Sequence, residues 1–213
     1  MPVSFAGRNL RNGRWYSEYE ILWGGYVARP TKDGISGMSQ DSSTVLNSPV
    51  ESIESEFPMM IECYEIIPDS GGAGKFRGGL GVRRNWKVLG ESVILNLRSD
   101  RFKFSSPGIF GALPARPSRC LLNPGTSQEI RLTSKQTNVQ LKRGDVVSLE
   151  LAGGGGWGKP EERDPKLVLK DVIEGDVSLE QAREVYKVWI DPDTFSINEK
   201  ATESLRKGGG SGY

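Results

Sequence analysis

The chain has 213 residues, which suits one large domain or one domain with a small appendage. Lys and Arg number 28 against 27 Asp and Glu, so the net charge of +1 supplies no broad field for a nucleic acid. Histidine is absent, which excludes Ser-His-Asp and Cys-His catalysis and histidine-ligated zinc within this chain.

The first half of the sequence predicts strands separated by long loops. Aromatic and β-branched residues predict a strand over residues 15–30, interrupted at Gly24-Gly25. A polar loop follows over 30–48, and Pro58 divides a short helix or turn from a strand that ends near Ile67. Residues 82–89 and 92–98 then predict a pair of neighbouring strands joined at Gly90-Glu91.

The second half changes character at about residue 158. A second long loop over 102–118 precedes strands predicted at 118–122, 128–132, 138–141 and 146–151. Asp164-Pro165 predicts a capped helix that ends at Gly175, and the capping box that starts at Ser178 predicts a second helix. A short strand at 188–190 and a polar helix over 198–207 complete the series.

These elements predict an α+β fold with a β-rich body, long glycine-rich loops and a short helical C-terminal segment. We expect a β-rich core over residues 1–158, a helical segment over 159–207 and a flexible tail over 208–213. No apolar run approaches the ~20 residues of a membrane span. No signal peptide is visible at the start of the sequence, so we expect a cytoplasmic protein that binds neither membrane nor nucleic acid. Cys63 and Cys120 are expected to be reduced, buried thiols.

Glycine clusters are the densest motif. Successive glycines between Pro68 and Gly81 can present backbone N–H groups to an oxyanion, although a compact turn between strands is the favoured interpretation. The run Gly153–Gly156 is either a close backbone contact or a mobile loop over a site.

Charged residues near these loops supply further candidates. Asp100 and Arg101 follow a predicted strand and either face a cleft or form a local salt bridge. Asp33 and Asp41 in the first long loop are two carboxylates alone, which make a weak metal site, so no metal ligand is assigned within the chain.

Taken in order, the motifs resemble the C-terminal part of the hydantoinase B/5-oxoprolinase family, which includes N-methylhydantoinase B and ketone carboxylase subunits. The resemblance runs from about residue 13 to residue 191 and rests on the following stretches: residues 23–34 (WGGYVARPTKDG), 47–51 (NSPVE), 68–81 (PDSGGAGKFRGGLG), 99–101 (SDR), 107–111 (PGIFG), 121–123 (LLN), 141–145 (LKRGD), 153–158 (GGGGWG), 162–165 (ERDP) and 182–186 (AREVY). The departures are the loop Ser36–Thr44, which lacks a histidine that many relatives carry, and Gly111–Ala115, where relatives have a glycine-rich turn.

The resemblance implies a reaction and the partners that it needs. Relatives couple ATP hydrolysis to the opening of a cyclic amide, with an A-type ATPase subunit that activates the carbonyl by phosphorylation; carboxylase relatives form carbon–carbon bonds instead. The implied partners are that ATPase, with ATP and Mg²⁺ on it, and a separate chain that carries the N-terminal half of the B-type component and its divalent metal. A scaffold role without catalysis is the alternative.

The resemblance and the motifs together assign the candidate site. We expect catalytic roles for Asp33, Asp100 and Arg101, in which the two carboxylates position water or arginines. Stabilisation of an anionic intermediate is assigned to two arginines and to residues of the segment Pro68–Gly81, called here the glycine loop. These anion-binding residues are Arg29, Ser70, Gly71, Gly72, Gly74 and Arg77.

Overall fold

The computed structural model describes residues 1–38 and 45–208. Two antiparallel sheets make up its β-rich part, and four α-helices flank and follow them. The strands are β1 Pro2–Arg8, β2 Trp15–Ile21, β3 Met59–Ile66, β4 Val82–Val88, β5 Ser92–Arg98, β6 Arg119–Leu122, β7 Ile130–Leu132, β8 Lys135–Lys142 and β9 Val146–Glu150. The helices are α1 Val50–Glu56, α2 Pro165–Ile173, α3 Leu179–Glu184 and α4 Glu199–Gly208. The α+β fold class is therefore confirmed.

The two sheets enclose one apolar core. One sheet has the strand order β2-β1-β5-β8 and the other the order β3-β4-β9-β6-β7. Strand β5 buries every second residue and β4 does the same, so each sheet contributes one apolar face. Phe5 and Leu95 from the first sheet join Trp86 and Leu149 from the second in this core, and all four are fully buried.

The predicted pairing of residues 82–89 with 92–98 is wrong, although both strands exist. Strand β4 pairs with β3 and β9, whereas β5 pairs with β1 and β8. The linker crosses between the sheets, where the amides of Leu89 and Gly90 both donate to the carbonyl of Pro58. Apart from Arg84 on β4, the buried face of each strand is apolar, so the two strands bury more surface by facing each other across the core than by lying side by side.

The N-terminal part of the chain also differs from the prediction. Strand β1 was not predicted. Its buried residues are Val3, Phe5 and Gly7, and because Gly7 has no side chain the alternation of apolar residues is too short to indicate a strand. The strand predicted over 15–30 ends at Ile21, after which the chain leaves the sheet. The residues 39–44 and the tail 209–213 lie outside the described residues, and with them Asp41 and most of the loop Ser36–Thr44.

The C-terminal helices begin at the predicted caps. The Asp164 carboxylate accepts from the Lys166 amide at 2.9 Å, and the Ser178 hydroxyl accepts from the Gln181 amide at 3.0 Å. Helices α2 and α3 share a second apolar cluster, which includes the fully buried Val168 and also Ala73 from the glycine loop. The C-terminal segment therefore packs on that loop, and the division at residue 158 stays a prediction. Within the described ranges, no helix combines the length and the apolar character that crossing a bilayer requires.

Candidate functional site

Three glycine-bearing segments pack backbone to backbone beside the sheets. The amide of Gly72 donates to the carbonyl of Gly154 at 2.8 Å, and the amide of Gly154 donates to Gly79 at 2.9 Å. The Gly79 amide in turn donates to the carbonyl of Tyr26 at 2.8 Å. A Cβ atom on Gly78 would lie 1.8 Å from the Gly154 carbonyl oxygen, so no larger residue fits there. The glycines are therefore required by close approach of three chain segments.

The predicted anion-binding residues of the glycine loop face inward. The Ser70 hydroxyl donates to the carbonyl of Ile67 at 2.6 Å and accepts from the amide of Gly81 at 2.8 Å, and Ser70 is fully buried. Buried with it are Gly71, Gly72 and Gly74. These contacts support a part in closing the loop, and anion binding by these residues stays a prediction.

Asp33 lies in a buried ion-pair network with the predicted Arg77. Its carboxylate accepts two hydrogen bonds from the Arg163 guanidinium, at 2.7 and 2.8 Å, and one from the Arg77 amide at 2.7 Å. Arg163 also binds Asp171, at 2.7 and 3.0 Å. The Arg77 guanidinium contacts Asp176 at 2.6 Å and Asp171 at 3.3 Å. The network therefore ties the first long loop and the glycine loop to helix α2 and the residues after it.

The electrostatics of this network favour full ionisation of its arginine. Only 1% of the Arg163 side chain is exposed, and this burial on its own lowers the pKa. The hydrogen bonds to Asp33 and the charge of Asp171 outweigh burial and hold the pKa of Arg163 above its usual range. Arg163 therefore stays charged at every pH at which the protein folds.

The acidic residues of the network do not fit a metal. The carboxylates of Asp171, Glu174 and Asp176 approach one another within 4.8 Å, an arrangement that can hold a cation. Two of the three already bind Arg77, and Asp171 also binds Arg163, so their charge is neutralised. We assign this cluster to the ion-pair network and derive no step through a metal.

Asp100 and Arg101 lie at the end of β5, away from the contacts of Asp33. The Asp100 carboxylate is exposed and contacts the Lys135 ammonium at 2.6 Å, which lowers the pKa of Asp100. Arg101 has a left-handed backbone conformation, with φ of 61°, which is uncommon for a residue other than glycine. Among the described residues its guanidinium makes one hydrogen bond, a long contact of 3.5 Å to the carbonyl of Ser105. Arg101 is thus held by its backbone while its charge remains accessible.

Arg101 lies at a cleft of about 310 Å³. The segment Trp23–Val27 also lines the cleft, together with Met1, Met38, Ser106, Ala152 and Gly153. The indole N–H of Trp23 is buried without a partner among the described residues. None of the described residues that line the cleft carries a carboxylate side chain. The cleft therefore combines an apolar wall with hydrogen-bond donors and a positive charge.

Arg29 occupies a separate exposed turn. The backbones of Arg29 and Lys32 bond to each other, and the Arg29 side chain has no partner among the described residues. The structure thus brings Asp33 and Arg77 together, whereas Arg29 and Arg101 have no carboxylate partner in the part of the chain that it describes. Both predicted catalytic carboxylates, Asp33 and Asp100, are paired with a basic side chain.

Sequence reasoning missed a second buried charged cluster between the sheets. Glu20 on β2 contacts Arg84 on β4 at 3.0 Å and accepts from the Trp86 indole at 2.9 Å. The Arg84 guanidinium lies 4.6 Å from the centre of the Tyr64 ring. Burial, and then the charge of Glu20, raises the pKa of the neighbouring Glu18 to about 8.

Sequence reasoning also missed the roles of Arg163 and Asp171. Asp171 lies on the buried face of α2 with Val168 and Val172, at positions i, i+3 and i+4. A carboxylate within an otherwise apolar helical stripe signals a buried partner, and this pattern is visible in the sequence. Arg163 has no comparable signal, because it lies in a turn before the helix.

Comparison with known proteins identifies the family. Residues 1–160 match the family model for hydantoinase B/oxoprolinase. An uncharacterized protein of Methanocaldococcus jannaschii is 40% identical over 197 residues, which are 91% of this chain and 34% of that protein. The B subunit of a putative D-/L-hydantoinase from a Pseudomonas species is 30% identical over 212 residues, or 96% of this chain and 34% of that protein.

A solved structure agrees with these sequence matches. The crystal structure of the ATP-dependent caprolactamase from Pseudomonas jessenii superimposes with a TM-score of 0.80 at 27% identity, over 96% of this chain and 37% of that one. The chain thus spans about a third of the length of the relatives that it matches. The chain belongs to the hydantoinase B/oxoprolinase family.

Proposed function

We propose that this member of the hydantoinase B/oxoprolinase family is part of an ATP-dependent enzyme that opens a cyclic amide. It works with an A-type ATPase subunit and with a companion polypeptide that supplies the remainder of the B-type component. The likeness to the B subunit of a putative hydantoinase and to an ATP-dependent caprolactamase supports the reaction class. The chain covers about a third of each of these relatives.

The pairing of charges in the candidate site carries the proposal. Asp33 is held by Arg163 and Asp100 by Lys135, whereas Arg101 and Arg29 have no carboxylate partner among the described residues. A paired carboxylate is a poor general base, because its cation lowers the proton affinity. The chain can thus stabilise negative charge, and groups outside it activate the water.

Arg101 is the residue assigned to that stabilisation. An amide activated by phosphorylation and then attacked by water develops negative charge on oxygen, and a pre-positioned guanidinium favours that charge. The left-handed backbone of Arg101 fits this role, since uncommon backbone conformations are concentrated at functional sites. Asp33 acts as a positioning residue, because its bonds to Arg163 and to the Arg77 amide hold the loop.

Reconstitution tests the proposal. The chain is co-expressed with an A-type ATPase subunit and with a polypeptide that carries the remainder of a hydantoinase B-type component, and ATP-dependent opening of 5-oxoproline, hydantoin and caprolactam is measured. Arg101→Ala is expected to lower turnover by about 10²–10³-fold, the usual effect of removing one donor to a developing oxyanion. The matched control is Arg131→Ala, which removes an exposed arginine of β7 and is expected to leave turnover unchanged.

Two outcomes would contradict the proposal. An assembled complex that opens no cyclic amide but carboxylates a ketone would assign the chain to the carboxylase branch. Unchanged turnover in Arg101→Ala, in a complex that is otherwise active, would leave the chain a scaffold for the ATPase.

A further inference from the structure

Strand β2 lies at the edge of its sheet. It pairs with β1 over its whole length, Trp15–Ile21, and with no other strand in the described ranges. The amide of Asn9 donates to the carbonyl of Arg14 at 2.8 Å, so the even-numbered residues of β2 turn their backbone groups toward β1. On the other side the Asn47 side chain donates to the carbonyl of Ile21 at 3.1 Å. The odd-numbered residues of β2 therefore turn their N–H and C=O groups away from the sheet.

Three of these residues combine free backbone groups with exposed side chains. The N–H and C=O groups of Trp15, Ser17 and Tyr19, called here the β2 edge, make no hydrogen bond within residues 1–38 and 45–208. Their side chains share one face of the sheet, where Trp15 is 74% exposed and Tyr19 is 60% exposed. Aromatic side chains are enriched at protein interfaces, so this edge has the composition of a binding surface.

The other three edge strands carry features that block pairing with another chain. Strand β8 begins and ends with lysine, and its register with β5 is irregular. Strand β3 has a register shift between Ile61 and Cys63, and β7 has only three residues. Strand β2 has seven residues in unbroken register, with neither lysine nor proline. Because proteins protect the edges that they do not use, the open edge of β2 indicates pairing with another strand.

We propose that the β2 edge pairs with the β2 edge of a second copy of this chain, antiparallel about a two-fold axis at Ser17. The pairing joins the two four-stranded sheets into one continuous sheet. Trp15 then lies opposite Tyr19 of the second copy on both sides of the axis, and the small Ser17 fits on the axis itself. The edge is thus complementary to itself, because free donors meet free acceptors and the exposed aromatic side chains form two cross-strand pairs.

The neighbouring register fits less well. An axis at Glu18 would place Trp15 opposite Ile21, so both aromatic pairs would be lost. The Ile21 carbonyl already accepts from Asn47 and is not free for that pairing. The two Glu18 carboxyl groups, each 3% exposed in its own chain, would also lie opposite each other. The register centred on Ser17 avoids all three conflicts.

Sedimentation over a dilution series, with hydrogen exchange followed by NMR, tests the dimer on the wild-type chain. The amides of the β2 edge are expected to exchange about tenfold more slowly, or slower still, when the dimer predominates, because pairing gives them acceptors. The amides of Tyr16 and Glu18 are the internal control. Their bonds to β1 exist in monomer and dimer alike, so their exchange is expected to change much less.

A pair of exposed aromatic residues measures the contribution of the side chains. Trp15→Ser is expected to weaken the dimer about tenfold, because two cross-strand aromatic pairs are lost at once. Phe104→Ser is the matched control, since Phe104 is 72% exposed but lies in the second long loop. It is expected to change the dissociation constant less than about twofold.

A cysteine on the axis tests the register. Ser17→Cys would place two thiols opposite each other with their Cα atoms about 5.5 Å apart, which suits a disulfide. Oxidised glutathione is expected to link the two copies through residue 17, identified by mass spectrometry of the joined peptides. Thr137→Cys, an exposed position of the edge strand β8, is the control and is expected to form no such link.

Three results would overturn the dimer. The first is a chain that stays monomeric up to about 1 mM. The second is a dimer that Trp15→Ser leaves intact and that forms no disulfide at residue 17, because another face would then hold it together. The third is protection of the β2 edge by a different polypeptide in a complex with one copy of this chain. Lactam turnover enters none of these measurements, so a dimer found in an inactive complex would refute the proposed function alone.

Discussion

Replacing Arg163 with methionine is expected to destabilise the protein strongly. The substitution keeps much of the volume and removes the guanidinium that binds Asp33 and Asp171 through four hydrogen bonds of 2.7–3.0 Å. Asp171 has 6% of its side chain exposed, so it would be left as a buried charge without this partner. Asp33 is 33% exposed and can be solvated in part.

The expected cost follows from these exposures. Breaking a buried ion pair by removing one partner costs about 3–5 kcal/mol. Because water compensates Asp33 in part, we expect the lower part of that range, about 3–4 kcal/mol. For a chain of this size that corresponds to a fall in Tm of about 6–16 °C.

Denaturant and thermal unfolding followed by circular dichroism measure this cost. Lys170→Met is the matched control, because it removes an exposed ion pair of 3.8 Å on the same helix and is expected to cost under about 0.5 kcal/mol. A loss below about 1 kcal/mol for Arg163→Met would refute the reasoning, because the network would then add little to stability.

Three further predictions concern the loops, the buried acid and the thiols. Gly78→Ala should prevent stable folding, because its Cβ would lie 1.8 Å from a backbone oxygen. Gly125→Ala is the control, since a Cβ there meets open space and only the φ of 73° is unfavourable. It should lower the free energy of unfolding, measured in denaturant, by about 1 kcal/mol. The raised pKa of Glu18, about 8, means that the folded state holds this proton more tightly than the unfolded state between about pH 5 and 8. Unfolding free energy should therefore fall with rising pH in that window, by up to about 3 kcal/mol, and Glu18→Gln should abolish this part of the fall in urea titrations at several pH values. Burial raises the pKa of Cys120 to about 12, so mass spectrometry after brief alkylation of the native protein should find the half-buried Cys63 labelled first, and equal labelling would contradict the buried position.

Local patterns in the sequence predicted most of the elements for identifiable reasons. The caps at Asp164 and Ser178 depend on side-chain bonds to amides two or three residues away, which sequence order alone can specify. Strand β9 was predicted from the spacing of Val147 and Leu149 by two residues, although in the structure residues on both of its faces are buried. Strand β1 escaped prediction because small residues weaken its alternation, and its neighbours in the sheet supply the burial that its own side chains lack.

The sequence could predict some of the residues of the candidate site but not the contacts between them. Arg101 and Asp100 are adjacent in sequence, and their position after a strand indicated exposure near a cleft. The partner of Asp33 is 130 residues away, and nothing in the spacing of the two residues connects them. The inward orientation of Ser70 likewise depends on two backbone groups that only the closed loop brings together.

The sequence by itself determined the fold class, the helix caps and the family, because each depends on residue types read in order along the chain. The tertiary structure alone decided that β4 and β5 face each other across a core, and that three glycine segments meet at one place. It also decided which charges are paired, since an ion pair depends on distance in space. The two carboxylates predicted to be catalytic are neutralised by Arg163 and Lys135, whereas Arg101 lies at the cleft without a carboxylate partner among residues 1–38 and 45–208.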